Sequence, residues 1–186
     1  MARPLGDGGG RLFKWLRTGE EGADGKGANG SGDCFTIASH NAEMREEMRT
    51  SVGAVVAGRR MYDISDGWGG SFPIPGIPVF VLTHEVPVRM PEGDTWFTFV
   101  TGGIESAIRK AQAAAGEKSV GLGGAKTTQQ GLAAGLVDEL QIHLVPLLLG
   151  KGVRLFDQVG GRTIELEKTS VVDAAGVTHL KYRVVK

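Results

Sequence analysis

Residues 119–144 read SVGLGGAKTTQQGLAAGLVDELQIHL, and two changes of pattern within them decide the fold class. Ser119 to Leu122 is a short strand candidate, and Gly123 and Gly124 interrupt it. Ala125 to Gly135 then offers helix-forming residues and ends in a glycine suited to the position just past a helix. After Val137 the period falls to two: Leu140, Ile142 and Leu144 alternate with Glu139, Gln141 and His143, as in a strand with one buried face. Strand, glycine pair, helix and strand follow one another, the succession of an α/β fold.

The segments on either side agree with it. Upstream, GAVVAG ending at Gly58, PVFVLTH ending at His84 and WFTFV from Trp96 to Val100 are apolar, β-rich and bounded by turn residues, so each reads as a strand. Between Gly103 and Ala115, Ile104, Ala107, Ile108 and Ala111 fall at i, i+3, i+4 and i+7, one face of a surface helix. An earlier helix is expected from about Ala38 to Thr50, where Gly and Pro are absent and Met44 and Met48 stand four apart. Downstream, Ile164 and Leu166, then Leu180, Tyr182 and Val184, repeat the alternation around DAAG, which predicts an antiparallel hairpin. Helices and strands alternate early and strands follow alone late. The expected fold is therefore an α/β sheet, mixed but mainly parallel, with flanking helices and a C-terminal antiparallel hairpin.

Composition bounds the class. At 186 residues the length favours one domain, spanning 1–186. An apolar share of 41% excludes global disorder. With 21 basic against 21 acidic side chains, there is no net field to make nucleic acid or an anionic membrane the expected partner. Cys34 is the single cysteine, no Cys/His cluster has zinc-ligand spacing, and the longest apolar run, Val145 to Leu149, is too short to cross a bilayer. A cytoplasmic, metal-free protein is expected. Glycine is over-represented, 30 of 186 or about 16% against an ordinary level near 7%, and it crowds the first 34 residues, which read as a mobile polar segment.

Three strand ends carry ligand-friendly chemistry, and ligands of open α/β sheets bind at the carboxyl ends of strands. Gly58-Arg59-Arg60 joins a glycine to a helix start and two guanidiniums, a combination suited to phosphate, although solvated arginines at a helix start would look the same. Gly123-Gly124-Ala125-Lys126-Thr127 places two residues without Cβ atoms at a second strand-to-helix junction, where a pyrophosphate could approach the backbone. A tight turn explains the glycine pair equally well, and neither GxxxxGK[ST] nor GxGxxG is matched. Thr83 and His84 end a third strand and offer a hydroxyl and an imidazole to a ribose or an adenine. His143, and Glu43, Glu46 and Glu47 on the early helix, are weaker candidates for ligand contact or proton donation. No nucleophile-elbow arrangement is present.

Taken in order, VGAVVAGRRMYDISDGWGG, PVFVLTHEVP, FTFVTGGIESAI and VGLGGAKTTQQGLAAGLVDELQIHLVPLLLGKGVRLFD resemble the dihydrofolate reductase-like family that includes the C-terminal reductase domain of bacterial riboflavin biosynthesis. The resemblance implies NADPH bound across the strand ends. Gly58, Arg59 and Arg60 would lie at the phosphate-binding helix start, Thr83 and His84 at the adenosine end, and Gly123, Gly124, Ala125 and Thr127 beside the pyrophosphate. Met61 stands where folate reductases usually offer a threonine, and the family's acidic residue falls near Ala42 or Glu43, so no catalytic residue is assigned.

Relatives also begin with a central strand that precedes the segment matching RPLGDGGGRLFKWL. Its apparent absence implies either that the natural protein starts upstream of Met1 or that another segment, from this chain or a partner, fills the slot. The expected activity is an NADPH-dependent reductase acting on a small heterocyclic or carbonyl substrate. The pyrimidine reductase of riboflavin biosynthesis and a nucleotide-binding module without turnover are the alternatives. A homodimer is common among relatives, and Leu147, Leu148 and Leu149 could serve either an interface or the core.

Overall fold

The computed structural model describes residues 11–12, 46–47, 49–157, 159–161, 163–174 and 176–186. Apart from residues 11–12, the expected mobile segment lies outside the described residues, as do Cys34, Ala42 and Glu43. Of the early helix, residues 46–47 and 49–51 are helical.

Among the described residues, seven strands and three α-helices follow in order: β1 (Val52–Gly58), α1 (Arg59–Ile64), β2 (Val79–Leu82), β3 (Phe97–Val100), α2 (Gly103–Ala115), β4 (Ser119–Gly123), α3 (Ala125–Ala133), β5 (Glu139–Leu144), β6 (Leu166–Ala174) and β7 (Val177–Val184). The first four strands form a parallel sheet in the order β3-β2-β1-β4. β1 lies inside that sheet, which is why its sequence is a continuous apolar run. Ala54 and Val56 pack with Phe80, Val100 and the predicted face of α2, including Ile104, Ala107, Ile108 and Ala111. Val55 and Ala57 point the other way, into a cluster with Tyr62, Val79 and Val81 flanked by Trp68, Phe97 and Phe99.

The predicted hairpin is present, but the antiparallel strands do not extend the parallel sheet. They form a sheet of their own, in the order β5-β7-β6. Among the described residues no strand joins β4 to β5, so the expected single mixed sheet is divided there. The two edges nonetheless border one apolar cluster, in which Leu122 of β4 packs with Leu132, Val137 and Leu140 of β5. α3 ends as the glycine at 135 foretold. Gly135 has φ 70°, its N–H donates to the Leu132 carbonyl, and the Leu136 N–H donates to that of Gly131, the two bonds of a Schellman ending.

An unpredicted feature lies between α1 and β2. Asp66, Gly67, Trp68, Gly69 and Gly70 all have positive φ, a left-handed run that costs a non-glycine residue about 1–2 kcal/mol. Aromatic packing holds it. Trp68 meets Phe72 edge-on with centroids 4.8 Å apart and stacks on Phe97 at 6.2 Å, while the Thr95 N–H donates to the Gly70 carbonyl at 3.0 Å.

The seat of α2 on the sheet sets a testable contrast between two strand glycines. A Cβ on Gly53 would stand 2.8 Å from the Ala115 carbonyl oxygen and 2.9 Å from the Ala115 Cα, whereas one on Gly121 meets nothing nearer than the Val55 side chain at 3.4 Å. Gly53→Ala is expected to cost about 2 kcal/mol, or roughly 4–8 °C of Tm, by forcing the helix off the strand. Gly121→Ala should change stability by less than about 0.5 kcal/mol. Thermal unfolding followed by circular dichroism reads both.

Candidate functional site: the crevice between β1 and β4

The chain runs outward from β1 to β2 and β3, then returns through α2 to lay β4 on the opposite side of β1. The direction of progression reverses between β1 and β4. At such a reversal the connections leave in opposite directions and open a crevice at the carboxyl ends of the two strands, where open α/β sheets take ligands. The ends in question are Gly58 and Gly123.

Both strands run directly into helices. α1 starts after Gly58 and α3 after Gly124, each N-cap being a glycine that supplies no side-chain hydrogen bond, and neither helix has an acidic residue in its first turn. The leading amides of α3 are thus left without a side-chain acceptor and without a competing carboxylate. Gly124 has φ 93°, a left-handed value that favours glycine at this junction. The two junctions touch: a Cβ on Gly58 would come within 2.8 Å of Thr127 Oγ1, and Met61 Sδ lies 3.1 Å from the Cβ position of Gly123. Thr127 is buried, at 1% exposure, so Gly58 is required for this approach.

The two arginines part company. Arg59 is held by protein: its Nε donates to Asp63 at 2.7 Å, and its Nη1 donates to the Glu85 carbonyl at 2.8 Å and to Thr83 Oγ1 at 3.3 Å. Arg60 is exposed, as is Lys126 on α3. Thr83 is buried and its hydroxyl is committed locally, donating to the Glu85 carbonyl at 2.7 Å and accepting the Glu85 N–H at 3.2 Å. Its partner in the sequence reading, His84, is exposed beside it. The structure therefore gathers Gly58, Arg59, Arg60, Gly123, Gly124, Ala125 and Thr127 around the β1–β4 crevice and ties Thr83 to them through Arg59. Asp63 was missed as the anchor of Arg59, although its four-residue spacing on a helix was the available signal. Met61 above the glycine pair had no sequence signal in its own composition.

The other candidates lie elsewhere. Glu46 pairs with Arg49, and Glu47 pairs with Lys181 on β7. His143 stands directly opposite His179 in the β5–β7 register, and their Nδ1 atoms are 2.8 Å apart, so one imidazole donates to the other. Among the described residues no group of three or more His, Cys, Asp or Glu side chains is placed to hold a metal ion.

Comparison with known proteins bears on this arrangement. A family model, the RibD C-terminal domain, matches residues 22–180. The chain belongs to the RibD C-terminal domain family. A protein from Shewanella sp. PV-4 assigned to riboflavin biosynthesis is 25% identical with a TM-score of 0.65, the match covering 76% of this chain and 78% of that one. A diaminohydroxyphosphoribosylaminopyrimidine deaminase/5-amino-6-(5-phosphoribosylamino)uracil reductase from Thermotoga maritima has a TM-score of 0.55 at 14% identity, over 80% of this chain and 50% of that one. The fold is shared as well with a dihydrofolate reductase from Enterococcus faecalis, solved with NADP(H), at a TM-score of 0.51 and 13% identity over 78% of this chain and 83% of that one. No curated protein matches the sequence. The dihydrofolate reductase-like fold and the RibD C-terminal family anticipated from the motifs both hold, and with the family holds the class, an oxidoreductase.

The histidine pair generates a pH dependence of stability. Burial lowers the basicity of both rings, and the neighbouring His179 helps push His143 down to about 4 from its ordinary 6.5. The unfolded chain then binds protons that the native pair refuses, so the pair's contribution is complete above about 6.5 and drains away as pH falls towards about 4. Tm measured across that window should decline more steeply for the natural chain than for His143→Gln, in which the lowered group is gone. Equal slopes would show that the pair does not titrate in this way.

Proposed function

We propose that the crevice between β1 and β4 holds the diphosphate of NADPH and that the protein reduces a small heterocyclic or carbonyl substrate. Family membership favours a substituted pyrimidine as that substrate. The observation that carries the cofactor reading is the convergence of the two glycine junctions at the reversal point of the sheet. The residues fit such an anion. Uncapped amides at the start of α3 can donate to phosphate oxygens, Gly124 leaves its backbone open, and Arg60 and Lys126 supply positive charge from the two sides.

In this reading Arg59 is a positioning residue, because its guanidinium is spent on fixing the end of β2 against α1. Thr83 belongs to that same anchor, and His84 beside it is available to the adenosine end. Ala125 and Thr127 belong to the turn that presents the α3 amides. When bound, NADPH supplies the hydride, while the chain orients the cofactor and compensates its charge.

Isothermal titration calorimetry with NADPH and NADH tests the reading. NADPH is expected to bind, Arg60→Ala to weaken it about tenfold through loss of a charge-assisted contact, and Gly124→Val to abolish it by filling the approach to the amides. No heat with either nucleotide would refute the cofactor site. Binding without oxidation of NADPH by any candidate pyrimidine or carbonyl compound would favour the module without turnover.

A homodimer is the assembly we propose. The end of β5 and the stretch after it expose Leu144 at 58%, Leu148 at 99% and Val153 at 64%, apolar side chains that gain by mutual burial. Sedimentation should give a dimer that Leu148→Glu shifts towards monomer; a monomeric natural chain would refute the assembly.

A further inference from the structure

Met61 lies on α1 and is 39% exposed, yet its side chain does not point freely into solvent. Its Sδ stands 3.1 Å from the Cβ position of Gly123 and 3.8 Å from that of Gly124, and its own Cβ lies 3.9 Å from the latter. The thioether therefore rests across the two residues whose missing side chains leave the start of α3 accessible. It contributes neither charge nor a hydrogen-bond donor there, and an anionic oxygen placed against it would lose water without gaining a donor. Methionine is also the apolar side chain most able to move, being unbranched with three rotatable bonds.

We infer that Met61 is an affinity-determining cover: it lies over Gly123 and Gly124, and the cofactor diphosphate displaces it on binding. The inference rests on the assignment of the diphosphate to the β1–β4 crevice and adds the cost of entry. Displacing Met61 sacrifices its contacts with the glycine pair on every binding event. A smaller side chain removes that cost, while a side chain of similar bulk retains it whatever its chemistry.

The test uses the full chain labelled with ¹³C at the methionine methyl groups and titrated with NADP⁺, the Met61 signal being identified by its loss in Met61→Ala. The Met61 methyl is expected to move on saturation, whereas that of Met90, exposed on the β2–β3 connection, should stay in place. By calorimetry Met61→Ala is expected to bind NADP⁺ about fivefold more tightly than the natural chain, with Met61→Leu close to the natural value. A Met61 methyl that stays in place while calorimetry reports saturation overturns the cover, as does unchanged or weaker binding by Met61→Ala, or equal tightening by Met61→Leu. Absence of heat from the natural chain is a different result: it removes the diphosphate assignment itself, and the cover with it.

Discussion

A hydrogen atom in place of a side chain at Gly58 is the constraint on which the β1–β4 crevice depends. β1 and β4 are neighbours in the parallel sheet, and the helices that follow them start at the same level. Thr127 is buried against Gly58, with its Oγ1 2.8 Å from the position a Cβ would take. Any larger residue at 58 must push α3 away from α1, and with it the glycine pair from Met61. Close packing transmits such a shift because interiors at near-crystalline density have little slack to absorb it. The crevice is thus a consequence of how two strand-to-helix junctions pack, and its openness is limited by that packing.

Charge in the crevice is divided between structure and solvent. Arg59 and Asp63 form an ion pair one helical turn apart, and Arg59 reaches across to the Thr83 hydroxyl and Glu85 carbonyl. Exposed pairs of this kind contribute little to stability alone, about 0–1 kcal/mol, but here the same guanidinium also caps a carbonyl at the end of β2. A side chain engaged three ways is held in one orientation, so Arg59 shapes the wall of the crevice. Arg60, one residue on and about 100° round the helix, faces solvent. Two arginines adjacent in sequence thereby acquire different physical roles from the turn of a helix alone.

Much of this architecture was legible in the sequence because it rests on local pattern. The β1 run, the α2 stripe, the Gly135 ending of α3 and the period-two strands β5 and β7 are all properties of neighbouring residues, and the structure places each where its pattern put it. The glycine junctions were equally legible as junctions. Their meeting was accessible through the resemblance to a known family, since composition carries no information about which strand ends are neighbours. What could not be read was set by tertiary contact. Thr83 looked available to a ligand because its partners are a carbonyl and an amide two residues on, together with a guanidinium 24 residues away. His143 looked like a polar position on a strand until the β5–β7 register set it against His179. The left-handed run at Asp66–Gly70 includes Trp68, a residue whose local preference opposes it, and the surrounding aromatic rings and backbone hydrogen bonds from outside the run hold it there.

The division of the sheet follows from hydrogen-bond accounting. Each interior strand of a sheet satisfies its backbone on two sides, whereas β4 and β5 are paired on one side among the described residues, β4 to β1 and β5 to β7. Edge strands are usually protected by charge, proline or a bulge, and the sequence SVGLG of β4 has none of these beyond the register irregularity near its start. Its facing partner β5 carries Leu140 towards the same cluster as Leu122. The connection through α3 joins β4 and β5 without their pairing with each other among the described residues.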